Sequence, residues 1–184
     1  MKKNIFMFAL CAIFAFGMTS CNPEEKTQLE ERTDFLTGAK KGWELTAAES
    51  SPAYLFKDGS SATNLFTGGF IEDYEKDDLV IYNTSGSVEV DPGTKLPGEG
   101  EDGFSIKKSM GTWKFVDVDA TILDTHIPFL LSAYGNTEAL GCRITDISAN
   151  SLSFKYTFTQ DARETEQGNE PAKTYTFTLT YKKK

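Results

Sequence analysis

The side chains that could carry nucleophilic or metal chemistry are few. Beyond residue 21 the sequence contains one histidine, His126, and one cysteine, Cys142. A Cys-His hydrolase needs the two within hydrogen-bonding reach of each other and of an orienting third group, and nothing in their spacing demands this. A catalytic zinc site takes three protein ligands, commonly including His or Cys. We therefore predict that the protein is not an enzyme and that it holds no cofactor or metal.

Two acidic clusters, residues 72–78 and 99–103, are the next candidates, because carboxylates on a loop can collect calcium. Neither cluster has the spacing of an EF-hand loop. A pair of carboxylates at glycosidase separation could be assembled from almost any β domain this acidic. We predict that both clusters are solvated loops, with calcium binding as the open alternative.

Aromatic side chains are concentrated on segments with the alternation of β-strands. They either fill the core, as side chains do in small barrels, or line a cavity for a small apolar or amphipathic ligand. Tyrosine is informative here, since a buried hydroxyl needs a hydrogen-bonding partner. The candidate ligand-lining residues are Tyr82, Trp113, Phe154, Tyr156 and Tyr175.

The elements that position these side chains are predicted to be β-strands. Residues 173–181 alternate between aromatic or aliphatic residues and threonine, and residues 151–159 repeat this pattern, which is the period of a half-buried strand. Turn residues separate further predicted strands at 42–48, 54–57, 79–84, 87–91, 104–107, 112–118 and 142–147. Eight or more short strands in one domain indicate a sandwich or a closed antiparallel barrel.

One segment, residues 124–141, breaks the β pattern. Its apolar residues Ile127, Leu130, Leu131 and Tyr134 have helical spacing, between a possible N-cap at Thr125 and Gly135. A short helix over the barrel mouth and an irregular connection both fit this segment.

The N-terminal segment has the composition of a secretory signal. Lys2 and Lys3 precede an apolar run that is too short to span a membrane, and Met18-Thr19-Ser20-Cys21 resembles the lipobox of bacterial lipoproteins. We expect a signal peptide at 1–20, a tether lipidated on Cys21 at 21–36 and one barrel domain at 37–184. Asn22 followed by acidic residues resembles lipoproteins sent to the outer membrane, on its periplasmic face or at the cell surface.

The charge of the chain limits its partners. Without residues 1–20, 17 basic residues remain against 27 acidic ones, and an acidic surface repels phosphate backbones. We therefore expect no nucleic acid partner. With Cys21 lipidated, Cys142 has no cysteine left to pair with in the chain, so the domain is expected to fold on its core alone as a monomer.

Several motifs together resemble the lipocalin-like lipoproteins of Bacteroidota. They are Gly42-Trp43-Glu44-Leu45-Thr46, Ser51-Pro52-Ala53-Tyr54, residues 74–82, Asp91-Pro92-Gly93, Gly111-Thr112-Trp113 and the closing pair of alternating strands. The resemblance implies an all-β, calycin-type antiparallel barrel of about eight strands after a short N-terminal helix or tether. It also implies that the Trp43 indole packs across the closed end. The cysteines common in such proteins are replaced here by Tyr74 and Leu96, so the disulfide they would form is absent.

Two functions follow from these expectations. The first is a non-enzymatic envelope lipoprotein that binds a small hydrophobic ligand inside the barrel, which needs a cavity of roughly 300 Å³ or more. The second is an interaction module, in which a filled barrel presents loops 58–78 and 91–103 to a glycan or a protein.

Overall fold

The computed structural model describes residues 25–100, 103–130, 138–165 and 168–184, and the predicted signal peptide and Cys21 lie outside these ranges. The chain begins with helix α1, Gln28–Thr37. The Thr27 hydroxyl accepts a hydrogen bond from the Glu30 amide at 3.2 Å, and the Glu30 carboxylate accepts one from the Thr27 amide at 2.8 Å. This reciprocal capping box satisfies amides that the first helical turn leaves unpaired.

Twelve strands make up the rest of the described fold, and every paired strand is antiparallel to its neighbour. In chain order they are β1 Trp43–Leu55, β2 Ser61–Asn64, β3 Leu79–Tyr82, β4 Ser87–Asp91, β5 Lys108–Thr112, β6 Lys114–Phe115, β7 Ile122–Thr125, β8 Leu140–Ile147, β9 Ser151–Gln160, β10 Arg163–Thr165, β11 Gly168–Glu170 and β12 Lys173–Lys183.

The main sheet curls into a nearly closed barrel. Its strand order is β5-β4-β3-β1-β12-β9-β8-β7-β6, with β2 paired to β1 and the β10–β11 hairpin separate. The two strands at the ends of this order, β5 and β6, are separated in the chain by Trp113 alone. Counted with β6 as one strand, β5 continues across Trp113; apart from the added hairpins, each strand then pairs with the next one along the chain, and β12 returns to pair with β1. This is an up-and-down barrel of eight staves, and the all-β, lipocalin-like prediction is confirmed.

The two ends of the barrel differ in their connections. At the end we call the closed end, α1 and residues 38–42 lie beside the short turns 83–86, 116–121 and 148–150. The opposite end, the loop end, carries the described residues of four longer connections, which are 56–78, 92–107, 126–139 and 161–172. The predicted loops 58–78 and 91–103 therefore emerge at the same end of the barrel.

The alternation predicted for the last two long strands is present in the structure. In β12, Tyr175, Phe177, Leu179 and Tyr181 are buried, while the intervening threonines are more exposed. Across the β9–β12 ladder Leu179 pairs with Phe154, which places two apolar side chains on the same interior face. On the outer face the Thr157 and Thr176 hydroxyls form a 3.0 Å hydrogen bond.

The strands predicted at 42–48 and 54–57 are one strand, β1. Pro52 lies just beyond Ser51, the last residue of β1 that pairs with β12, and in a gap of the β2 ladder, which includes Glu49 and resumes at Tyr54. A proline cannot donate to a ladder hydrogen bond, and the sequence pattern therefore suggested an interruption. Because the ladders to β12 and β2 overlap at Glu49, β1 continues through Pro52 as one strand.

Three further predictions differ from the structure. Residues 104–107 are not a strand, because β4 ends at Asp91 and its ladder with β5 begins where Val90 pairs with Lys108. The strand predicted at 112–118 ends at Phe115, since the Asp117 carboxylate accepts hydrogen bonds from the Thr121 and Ile122 amides and folds the chain back. The four-residue strands β2 and β7 and the short strands β10 and β11 were not predicted.

The ambiguous segment after β7 begins as a helix. Residues 128–130 are helical, and residues 131–137 lie outside the described part. Helix α1 falls almost entirely within the residues 21–36 that we assigned to the tether, yet Leu36 is fully buried against the barrel. The described helices include none that is both long and apolar enough to cross a bilayer.

Candidate functional site

The closed end of the barrel is sealed by α1. The Trp43 indole is fully buried, and its Nε1 donates a 2.9 Å hydrogen bond to the Leu36 carbonyl near the end of α1. Arg32 of α1 reaches the turn on the other side of the barrel, where its Nη1 donates to the Ala120 carbonyl at 2.8 Å. The position of Trp43 agrees with the role that the resemblance implied for it.

The five candidate ligand-lining residues lie in different parts of the barrel. Tyr82, Phe154 and Tyr175 are at most 3% exposed, while Trp113 and Tyr156 are half-buried. Tyr82 contacts Trp113 edge to face, with ring centroids 6.1 Å apart. Phe154 stacks instead on Tyr181 at 5.5 Å. These rings are in van der Waals contact with other rings, as in a packed core.

Tyr156 and Tyr175 belong to an aromatic cluster near the loop end. Phe158 lies between them, 5.7 Å from Tyr156 and 5.6 Å from Tyr175. The cluster continues through Tyr54 and Phe177 to two rings from the long connections, Phe70 and Phe129, whose centroids are 6.0 Å apart. Sequence analysis did not single out Phe70 or Phe129, because neither lies on an alternating strand. The loop connections thus contribute side chains to the barrel interior.

Phenolic hydroxyls in the interior are held in their neutral form. The Tyr82 hydroxyl accepts a 3.2 Å hydrogen bond from the Thr125 hydroxyl. Burial raises the pKa of Tyr82 well above its ordinary range, and it raises the pKa of Tyr181 in the same way. These hydroxyls therefore act as hydrogen-bonding groups at neutral pH, not as bases.

A small cavity lies beside Tyr181 toward the loop end. Its volume is about 10 Å³, and its lining includes Leu45, Glu75, Asp78, Val80, Phe129 and Tyr181. This is room for about one water molecule and far below what a small-molecule site needs. Burial, together with repulsion from Glu75, Asp77 and Asp91, raises the pKa of Asp78 to about 7.

The acidic cluster at 72–78 holds the neighbouring connection in place. Asp77 Oδ2 accepts hydrogen bonds from the Thr94 amide at 2.7 Å, the Thr94 hydroxyl at 2.8 Å and the Lys95 amide at 3.3 Å. Although burial opposes ionisation, these bonds keep the pKa of Asp77 below its ordinary value. Asp78 Oδ1 accepts from the Gly93 amide at 3.3 Å. Within the described ranges, no three His, Cys, Asp or Glu side chains are grouped so that they could hold a metal ion.

The histidine and the cysteine are both buried. Cys142 is fully buried, and its thiol donates to the Leu140 carbonyl at 3.4 Å. Burial, reinforced by the Asp124 charge, raises the pKa of the Cys142 thiol to about 12, so the thiolate needed for nucleophilic attack is scarce at neutral pH. The His126 ring packs on Gly111, where an added Cβ would lie 2.4 Å from the imidazole.

A shallow surface groove follows the β10–β11 hairpin. Its volume is about 470 Å³, and it is lined by Ala162, Glu164, Asn169, Glu170 and Pro171. None of the five candidate residues contributes to it. The groove is open to solvent on one side and is formed by a single short hairpin, so it lacks the enclosure of a typical small-molecule site.

No known family model matches the chain, and no curated protein matches it.

Proposed function

We propose that this protein is a non-enzymatic lipoprotein of the outer membrane, and that its barrel is a rigid support that presents the loop end to a macromolecular partner. The observation that carries the proposal is the contrast between the two ends of the barrel. One end is sealed by α1 and short turns, whereas the other carries four long connections. The contacts between interior rings and the cavity of about 10 Å³ favour this function over ligand storage.

The position of α1 supports a defined orientation on the membrane. The helix cap Thr27 follows Cys21 by six positions, and a fully extended chain of that length spans at most about 20–22 Å. A lipid on Cys21 would therefore hold the closed end near the bilayer. The loop end, on the opposite side of the barrel, would then face away from the anchoring membrane.

The chemistry of the loop end indicates a cationic partner. Its described residues include 11 acidic and five basic side chains, so it carries much of the excess negative charge of the chain. Leu96 and Ile106, both in the 92–107 connection, are 54% and 72% exposed. Acidic side chains around exposed aliphatic ones suit a protein surface of opposite charge, since complementary charge steers association and apolar contact adds affinity.

Photocrosslinking in intact cells tests the orientation and the partner together. A photoreactive residue at Ile106 should form a discrete adduct with a protein. The same residue at Val118, which is 81% exposed but lies at the closed end, is the matched control and should not form that adduct. Equal adducts at both positions, or none at Ile106, would contradict the proposal. Cys21→Ser should also release the protein from the membrane fraction.

A second experiment tests the competing function of ligand binding. An apolar probe is titrated while Trp113 emission is recorded, and the variants Tyr156→Ala and Tyr175→Ala are compared with Thr176→Ala on the outer face of β12. If the interior binds a ligand, the two tyrosine variants should weaken binding and the threonine variant should not. We expect no saturable binding. A micromolar binding site that the tyrosine variants weaken would contradict the interaction module and would show that the barrel binds a ligand.

A further inference from the structure

Five lysines form a patch on the closed end of the barrel. Lys40 and Lys41 follow α1, and Lys182 and Lys183 close β12 and are followed by Lys184. Backbone pairing joins the two groups: Lys183 pairs with Trp43 in the β1–β12 ladder, and the Lys184 amide donates to the Gly42 carbonyl at 3.1 Å. We call these five residues the lysine patch.

The lysine patch has little charge compensation. Four of the five side chains are exposed, and Lys183 is half-buried. Among the described residues the patch forms one ion pair, between Lys184 and Glu44 at 2.8 Å. By contrast, Lys76, Lys107 and Lys114 are each paired with a carboxylate elsewhere in the barrel. The patch is therefore a local excess of positive charge on an acidic protein.

We propose that the lysine patch binds the anionic phospholipid headgroups of the membrane that carries the lipid anchor. Clusters of lysine beside a membrane anchor are attracted to anionic lipid, and a single anchoring signal leaves a protein free to tilt. The inference rests on the proposed function for the position of the anchor, six positions before the α1 cap Thr27. We expect the β1–β12 side of the closed end, which carries the lysine patch, to face the membrane. The α1 side is acidic, with Glu30, Glu31 and Asp34, and anionic lipid would repel it.

The test measures lysine acylation on vesicles. The full lipidated protein is incubated with vesicles of phosphatidylcholine, or of phosphatidylcholine with phosphatidylglycerol, and the labelling rate of each lysine is read by mass spectrometry. We expect patch lysines to be labelled several-fold more slowly on the anionic vesicles, and high salt should remove the difference. Lys57 at the loop end and Lys155 on the barrel wall should be labelled equally on both. Equal rates for the patch, or a uniform slowing of all lysines, would overturn the inference.

Charge variants separate binding from local structure. In the triple variant Lys40→Gln/Lys41→Gln/Lys182→Gln, the remaining Lys184 should no longer be acylated more slowly on anionic vesicles than on neutral ones. The matched variant Lys57→Gln/Lys95→Gln/Lys155→Gln, with the same loss of charge away from the patch, should keep it. Flotation with neutral vesicles reports the anchor separately. If the protein does not float with neutral vesicles, the lipid anchor is disproved. If its patch lysines are still acylated more slowly on anionic vesicles, the lysine patch remains a lipid-binding surface without the anchor.

Discussion

The indole nitrogen of Trp43 donates a 2.9 Å hydrogen bond to the main-chain carbonyl of Leu36. Both residues are fully buried, so the bond joins the end of α1 to the first strand of the barrel in a place that water does not reach. A helix leaves its last carbonyls without partners inside the helix, and Trp43 supplies one. A hydrogen bond shielded from water therefore joins the helix to the closed end of the barrel.

Trp43→Phe should destabilise the protein by about 1–3 kcal/mol, because it leaves a buried carbonyl without a donor and removes part of the packed ring. The matched control is Trp113→Phe. Trp113 Nε1 also donates at 2.9 Å to a backbone carbonyl, that of Asn83, but the ring is half-buried and water can replace the donor. Denaturant unfolding of both variants measures the difference. An equal loss would show that α1 is not coupled to the barrel through this bond.

Gly93→Ala should weaken the attachment of the 92–107 connection. An added Cβ would lie 2.2 Å from the Asp77 carboxyl carbon, so Asp77 must turn away and lose its bonds to Thr94 and Lys95. We expect a loss of about 1–3 kcal/mol. In a double-mutant cycle with Asp77→Ala the two effects should be clearly non-additive, since either change breaks the same contacts.

The control for this cycle is Gly141→Ala. Its added Cβ would meet Asp124 at an ordinary 3.5 Å, so it should be tolerated. Additive effects of Gly93→Ala and Asp77→Ala would show that the clash is relieved in another way.

Stability should fall as the pH rises from about 4 to about 7, because of Asp78. Its native pKa is raised to about 7, while in the unfolded chain it returns to about 3.9. Between these values the native state keeps a proton that the unfolded state has released. The stability that this retained proton contributes is therefore complete below the unfolded pKa and is lost as the pH rises to about 7. Within this window the free energy of unfolding falls by up to about 1.4 kcal/mol for each pH unit.

Asp78→Asn should remove this slope, since the amide oxygen can still accept from the Gly93 amide and carries no charge. Urea unfolding at several pH values from about 2 to about 8 measures this slope and the acid-side loss described next. Asp77→Asn gives the opposite case, because the lowered pKa of Asp77 contributes stability above its unfolded pKa that is lost on acidification. If Asp78→Asn left the pH profile of the wild type unchanged, Asp78 would be ionised in the native protein.

Cys142 should resist alkylation in the folded protein. The thiol is fully buried and its pKa is raised to about 12, so both access and thiolate formation are restricted. Iodoacetamide at pH 8 should modify the Cys142 peptide slowly before unfolding and rapidly after denaturant is added, as read by mass spectrometry. Rapid labelling of the native protein would show that the barrel wall opens near β8.

The alternation of β9 and β12 could be predicted residue by residue because it depends on local chemistry alone. A strand with threonine at every second position has one face for solvent and one for a core. The same reasoning identified most of the strands and, with the motifs around Trp43, the barrel. It failed at Pro52 and at residues 104–107, where the limits of a strand depend on which neighbour supplies its hydrogen bonds.

Tertiary structure alone decided what the long connections do. Phe70 and Phe129 lie in segments without strand periodicity, yet they pack into the barrel, and Asp77 uses its carboxylate to hold a loop 17 residues further along the chain. Such contacts join residues that are distant in sequence, so no local pattern records them. The sequence by itself determined the all-β class, the acidic charge and which side chains of the long alternating strands face the core. The assignment of loops and lysines to opposite ends required the closed order of the strands, because only closure fixes which connections share an end.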